Sequence, residues 1–98
     1  MLFIARFKDN QNLYETRIKH LDAHIQWLDT KRDQVLVGGS LRKELDEQPV
    51  GGLWIVKADT KQAVQTLIES DPFWIHGLRS GVEILHWSKA FEDRLVEV

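Results

Sequence analysis

Apolar and polar positions change their period several times along this chain, and each change marks an element. Met1 to Lys8 is apolar and aromatic, with Leu2 and Ile4 on one side and Phe3, Ala5 and Phe7 on the other. It reads as a strand buried on both faces. After the polar, turn-prone Asp9-Asn10-Gln11-Asn12, the residues Ile18, Leu21, Ile25 and Leu28 recur at spacings of three, four and three. That is one stripe of a helix running from about Leu13 to about Lys31, and the stripe is expected to face the core. Gln34 to Leu41 reads as a second strand, in which Gly38 and Gly39 leave room for another backbone or a ligand. Arg42 to Gly52 is highly charged and holds Pro49, Gly51 and Gly52. It is expected to connect a hairpin to a third strand, Leu53 to Ala58.

Asp59 or Thr60 can cap a second helix whose buried face is Ala63, Val64, Leu67 and Ile68. Pro72 disfavours helical geometry in the residue before it and suits a first helical turn. Asp71 is therefore expected to cap a short helix over Phe73 to Leu78, ended by Gly77 or Gly81. Val82 to Trp87 reads as a fourth strand, and Ser88 to Val98 carries no clear period. The order β-α-β-β-α-β predicts an α+β, ferredoxin-like protomer: an antiparallel sheet with its helices on one face. The opposite face stays apolar whichever way the strands turn, through Phe3 or Ile4, Trp54 or Ile55, and Ile84 or Leu85. A second copy packed sheet to sheet would cover it, so a homodimeric α/β barrel is expected, with further assembly of dimers left open.

Ninety-eight residues support one domain over 1–98, with a core of about 1–89 and a tail at 90–98. Thirteen Lys and Arg against fifteen Asp and Glu give a net charge of −2, so no global field draws phosphate backbones or anionic bilayers. Neither nucleic acid nor membrane is expected as a partner. RNA-recognition modules share the element order, but Leu53 to Ala58 lacks their basic, aromatic strand motif. Without cysteine there is no disulfide, thiol nucleophile or iron–sulfur cluster. No run approaches the ~18 apolar residues of a membrane span and no signal-like start is present, so a cytoplasmic location is expected.

The candidate chemistry lies on the first helix. Arg17, His20, His24 and Trp27 repeat the three, four, three spacing on a stripe rotated by roughly 100° from the apolar one. A histidine at such a boundary, half-desolvated and held by a carboxylate, can move protons near neutral pH. Unpaired, it is an ordinary amphipathic boundary residue. His20 and His24 have metal-gripping spacing, but the metalloprotease motif needs Glu where Leu21 stands, and no spacing rule recruits His76 or His86. No metal or cofactor is expected. Asp71 by itself reads as a helix cap worth about 1 kcal/mol. Gly38-Gly39-Ser40 fits neither a nucleotide-binding fingerprint nor a serine-hydrolase elbow. The tryptophans at 27, 54, 74 and 87 supply core, or walls for a flat ligand.

In combination these features are more specific. Arg17, His24, Trp27-Leu28, Val35 to Leu41 with its Gly38-Gly39-Ser40, Gly52 before a strand, Asp71-Pro72-Phe73 with Gly77-Leu78, Ile84 to Trp87 and Lys89 resemble the YciI-like (YCII-related) family from about Met1 to Lys89. The resemblance implies a ferredoxin-like protomer in a dimeric α/β barrel, and a cleft where a histidine meets the aspartate of Asp-Pro. By position these are His24 and Asp71. It also implies a small-molecule substrate, since one member of the family is a dehydrochlorinase acting on a chlorinated hydroxyhydroquinone. Many relatives carry arginine where Leu21 stands and Gly-Pro where Gly39-Ser40 stands, which leaves Arg17 or Arg42 to hold an anionic group. The expectation is lyase- or isomerase-type proton transfer by His24 and Asp71, with Arg17, Trp27, Gly38, Gly39 and Ser40 positioning the substrate. The alternative is a protein that binds a small ligand without changing it.

Overall fold

The computed structural model describes all 98 residues. Its elements are β1 (Leu2–Asp9), a 3-10 turn (Gln11–Leu13), α1 (Tyr14–Thr30), β2 (Val35–Leu41), β3 (Gly51–Lys57), α2 (Lys61–Glu69), α3 (Pro72–Ile75) and β4 (Arg79–Trp87). The strands form one sheet in the order β2-β3-β1-β4, with every neighbouring pair antiparallel. This is the ferredoxin-like α+β arrangement expected from the element order.

Strand period decides which side chains share a face. Ala5 lies opposite Trp54 on one side and Ile84 on the other, and Phe3 opposite Val56 and His86, so these residues point the same way. That face holds the core: Phe3, Ala5, Phe7, Trp54 and Val56 pack with Val64, Leu67 and Ile68 of α2. The Thr60 hydroxyl accepts from the Ala63 N–H at 3.1 Å and starts α2. Trp27 and Leu28 bring α1 onto the same face. The opposite face carries Leu2, Ile4, Leu53 and Ile55 half-buried, with Val37, Leu41, Leu85 and Trp87 exposed. It is apolar around Ile4 and Ile55, as expected, and also carries Lys8 and the Arg6–Glu83 ion pair. Ala90–Val98 forms no helix or strand, and its Phe91, Leu95 and Val96 share a pocket with Leu2, Val37, Ile55 and Trp87 at one end of this face. No helix is long and apolar enough to cross a membrane.

The structure corrects the expected orientation of α1. Ile18, Leu21 and Ile25 are 60%, 41% and 53% exposed, whereas Arg17 and His24 are only 8% and 6% exposed. The helix is turned so that the polar stripe points inward. The reason is long-range pairing: Arg17 finds Asp9, and His24 finds Asp71, so the cost of burying these groups is offset by charge-assisted hydrogen bonds. Two strands also start earlier than expected. β3 begins at Gly51, where the absence of a side chain lets the backbone pass so close that a Cβ would lie 2.0 Å from the Phe7 carbonyl oxygen. β4 begins at Arg79, paired with Asp9 across a register shift. The short helix is a single turn, ended by Gly77 at φ +76°.

Candidate active site

Local chemistry places Asp71 before any tertiary contact is made. Its carboxylate caps α3, Oδ1 accepting from the Phe73 N–H at 3.1 Å, and Pro72 fills the first helical position, where a missing N–H costs nothing. The cap holds the fully buried Asp71 side chain against α1. There the same Oδ1 accepts a second hydrogen bond, from His24 Nδ1 at 2.6 Å. A neutral imidazole held this way, with its proton on Nδ1, carries its lone pair on Nε2. Nε2 makes no hydrogen bond within the protein and is not sealed from solvent. A group that must exchange a proton with a small molecule needs this geometry: one nitrogen fixed by a buried carboxylate, the other open.

Phe73, the first aromatic after the cap, is fully buried and forms the floor beneath the histidine. Its ring stacks on His24, centroids 3.8 Å apart and planes 9° from parallel. The guanidinium carbons of Arg17 and Arg79 stand 5.1 and 5.2 Å from the same ring centroid, within cation–π range. Arg79 also lies over Phe7 at 4.5 Å. The two arginines divide Asp9 between them: Arg79 Nη1 donates to Oδ1 at 2.6 Å and Arg17 donates to Oδ2. All four charged groups, Asp9, Arg17, Asp71 and Arg79, are buried. Burial pushes the Arg79 guanidinium below the usual arginine range, and the hydrogen bond it donates to Asp9, with the charge of that carboxylate, pulls it back. Arg79 remains a cation at neutral pH.

Of the residues singled out from sequence, His24 and Asp71 are brought together. Arg17 joins them through Phe73, but it is paired with Asp9 rather than free to grip an anion. Trp27 leans on Trp54, ring centroids 5.5 Å apart, and a Cβ on Gly38 would meet Trp54 at 3.1 Å. Trp54 is buried, so only Trp27 presents an aromatic surface at this point of the histidine's helix. Gly39 and Ser40 lie exposed on β2, with Ser40 Oγ accepting from Arg42 at 3.1 Å, and neither bonds to His24, Asp71 or Arg17. His20 stacks on His76 at 3.6 Å, and His86 lies against Phe3 at 4.6 Å. No three His, Asp or Glu side chains are grouped to hold a metal ion.

Sequence reasoning missed Asp9 and Arg79. Asp9 precedes Asn10-Gln11-Asn12 and looks like the start of a turn, while Arg79 falls between the expected short helix and the expected fourth strand. The available signal was strand parity. Phe3, Ala5, Phe7 and Asp9 share one face of β1, so an acid at that face needs a cation from a neighbour.

The YCII-related domain model matches residues 1–88. This chain belongs to the YCII-related family. No protein of curated function matches its sequence. Among solved structures, this YCII-related protein is similar to the 5-chloro-2-hydroxyhydroquinone dehydrochlorinase of Burkholderia phenoliruptrix, determined in complex with 2,5-dihydroxybenzoquinone. The two are 26% identical, with a TM-score of 0.81 over 90% of this chain and 94% of that one. A protein assigned as an antibiotic biosynthesis monooxygenase from Bacteroides thetaiotaomicron is 15% identical, with a TM-score of 0.59 over 99% of this chain and 95% of that one. That second likeness extends to the fold alone. The YCII-related protomer thus has the ferredoxin-like fold of the dimeric α/β barrel proteins.

Proposed function

We propose that this YCII-related protein is a lyase- or isomerase-type enzyme acting on a small hydroxylated ring, with His24 as the proton-transferring group and Asp71 as the residue that orients it. The observation that carries the reading is the buried hydrogen bond from His24 Nδ1 to Asp71 Oδ1 at 2.6 Å, with Nε2 left open. The likeness to a dehydrochlorinase supports the substrate class. Loss of HCl from a chlorinated trihydroxybenzene is a sequence of proton moves. One hydroxyl proton shifts to the carbon bearing chlorine, chloride leaves that carbon with its bonding pair, and the para hydroxyl gives up its proton as the ring becomes a hydroxyquinone. No external oxidant enters. His24 Nε2 takes and returns the proton, while Asp71 holds the ring in the Nδ1–H tautomer and stabilises the imidazolium when it forms. Trp27, half-buried on the same helix as His24, offers a flat aromatic edge to such a ring, while Arg17 stays committed to Asp9. The apolar sheet face is covered by a second copy, which makes the working form a homodimer.

The test is incubation with 5-chloro-2-hydroxyhydroquinone and its unchlorinated and methylated analogues, following chloride release and quinone absorbance. Turnover is expected in the wild type and is expected to fall by about 100-fold to 10,000-fold in His24→Gln. Full turnover in both His24→Gln and Asp71→Asn would remove His24 and Asp71 from the mechanism. A ring that binds and is recovered unchanged would move the protein to the ligand-binding class.

A further inference from the structure

Two buried side-chain polar atoms have no hydrogen-bond partner in this fold: Asp71 Oδ2, an acceptor, and Arg79 Nε, a donor. Both belong to residues packed on Phe73. Asp71 caps the turn that begins there, and the Arg79 guanidinium lies over its ring at 5.2 Å. Such atoms are rare in native cores and call for an explanation. Charge accounting supplies one. Asp9 uses one oxygen for each arginine, so Arg17, Arg79 and Asp9 together carry one surplus positive charge. The other buried anion is Asp71, and its charge is among those that hold the Arg79 guanidinium protonated.

A buried carboxylate bonded to an imidazole needs a counter-charge from somewhere. If the imidazole provides it, the histidine is doubly protonated at rest and has no lone pair to offer. If a second cation provides it, the histidine rests neutral and Nε2 is a base. Here the cluster of Asp9, Arg17, Arg79 and Asp71 is already neutral, and the His24 ring and the Arg79 guanidinium are held against the same aromatic ring.

We propose that Arg79 is a positioning residue of this site: it supplies the counter-charge of Asp71 and thereby keeps His24 uncharged, with its Nε2 lone pair available for a substrate proton. Asp9 and Arg17 are the brace that holds Arg79 in place. The proposal deepens the reading of His24 as an acid–base group. Its test reads protonation rather than turnover, so the two can fail separately.

Imidazole nitrogen chemical shifts of the labelled homodimer or monomer, as it exists in solution, distinguish the states at a single near-neutral pH. In the wild type, His24 is expected to show one protonated nitrogen, Nδ1, and one bare nitrogen, Nε2. In Arg79→Met it is expected to show both nitrogens protonated, while Arg79→Lys, which keeps the charge, returns the wild-type pattern. A merely structural role for Arg79 would not be rescued by charge alone, and His86 serves as an internal reference. A doubly protonated His24 in the wild type would overturn the proposal without any variant. A folded Arg79→Met protein whose His24 keeps a bare Nε2 would overturn it as well. The expected shift pattern with no turnover on any hydroxylated ring would leave the assignment of Arg79 standing and sink the enzymatic reading.

Discussion

Phe73 and His24 lie face to face, ring centroids 3.8 Å apart and planes 9° from parallel. The contact joins the two halves of the site. Phe73 is the second residue after the capping Asp71, so the turn that aims the carboxylate at His24 also slides an aromatic plane under its imidazole. One short segment, Asp71-Pro72-Phe73, therefore fixes the histidine in two directions, and the arginines on Phe73 tie it to the buried charge cluster.

Removing Phe73 should be costly because it is fully buried. Phe73→Ala is expected to destabilise the protein by about 3–5 kcal/mol, measured by chemical denaturation. Phe73→Leu keeps most of the volume and loses the stack, so it should fold while His24 loses its fixed ring orientation.

Gly51 and Gly39 give opposite outcomes on substitution to alanine. A Cβ at Gly51 would lie 2.0 Å from the backbone oxygen of Phe7, which belongs to a paired strand and cannot withdraw. Gly51→Ala is expected to cost about 3 kcal/mol or more. A Cβ at Gly39 meets nothing within 4 Å. Gly39→Ala should stay within about 0.5 kcal/mol in the same denaturation assay.

His20 gives the protein a pH-dependent stability. Partial desolvation holds it below the ordinary histidine value of 6.5, with the charges of His76 and Lys19 adding to the effect. A histidine whose folded pKa is lowered binds fewer protons in the folded state than in the unfolded one. Its contribution is therefore complete above the unfolded pKa and is lost as pH falls below it, levelling off beneath the folded value. Melting temperature should fall on acidification through this window, and His20→Gln should flatten that part of the profile.

The outward turn of α1 leaves Ile18 and Ile25 replaceable, while Leu28 stays packed on the core. Ile18→Lys and Ile25→Gln are expected to change stability by no more than about 0.5 kcal/mol, because both side chains already face solvent. Arg17→Met, on the inward stripe, leaves Asp9 with a single partner and should cost about 1–3 kcal/mol.

The apolar sheet face predicts the oligomeric state. Light scattering of the wild type should report two copies per particle, and Ile55→Glu, which places a charge at the centre of that face opposite Ile4, should report one. A monomeric wild type would remove the dimer.

The order of elements was legible in the sequence because strands, helices and their caps depend on neighbours a few residues apart. The alternation in β1, the Thr60 cap and the Asp71-Pro72 turn all stand where local chemistry puts them. The pairing of His24 with Asp71 was reached from sequence by resemblance, since residues 47 positions apart carry no mutual periodicity. Tertiary structure alone decided which side of α1 faces inward. A hydrophobicity pattern assigns each side chain a cost of burial without regard to partners, and by that measure Ile18, Leu21 and Ile25 belong inside. Once the fold brings Arg79 to Asp9 across 70 residues and Asp71 to His24, the polar stripe has partners waiting for it, and burying it becomes the cheaper arrangement.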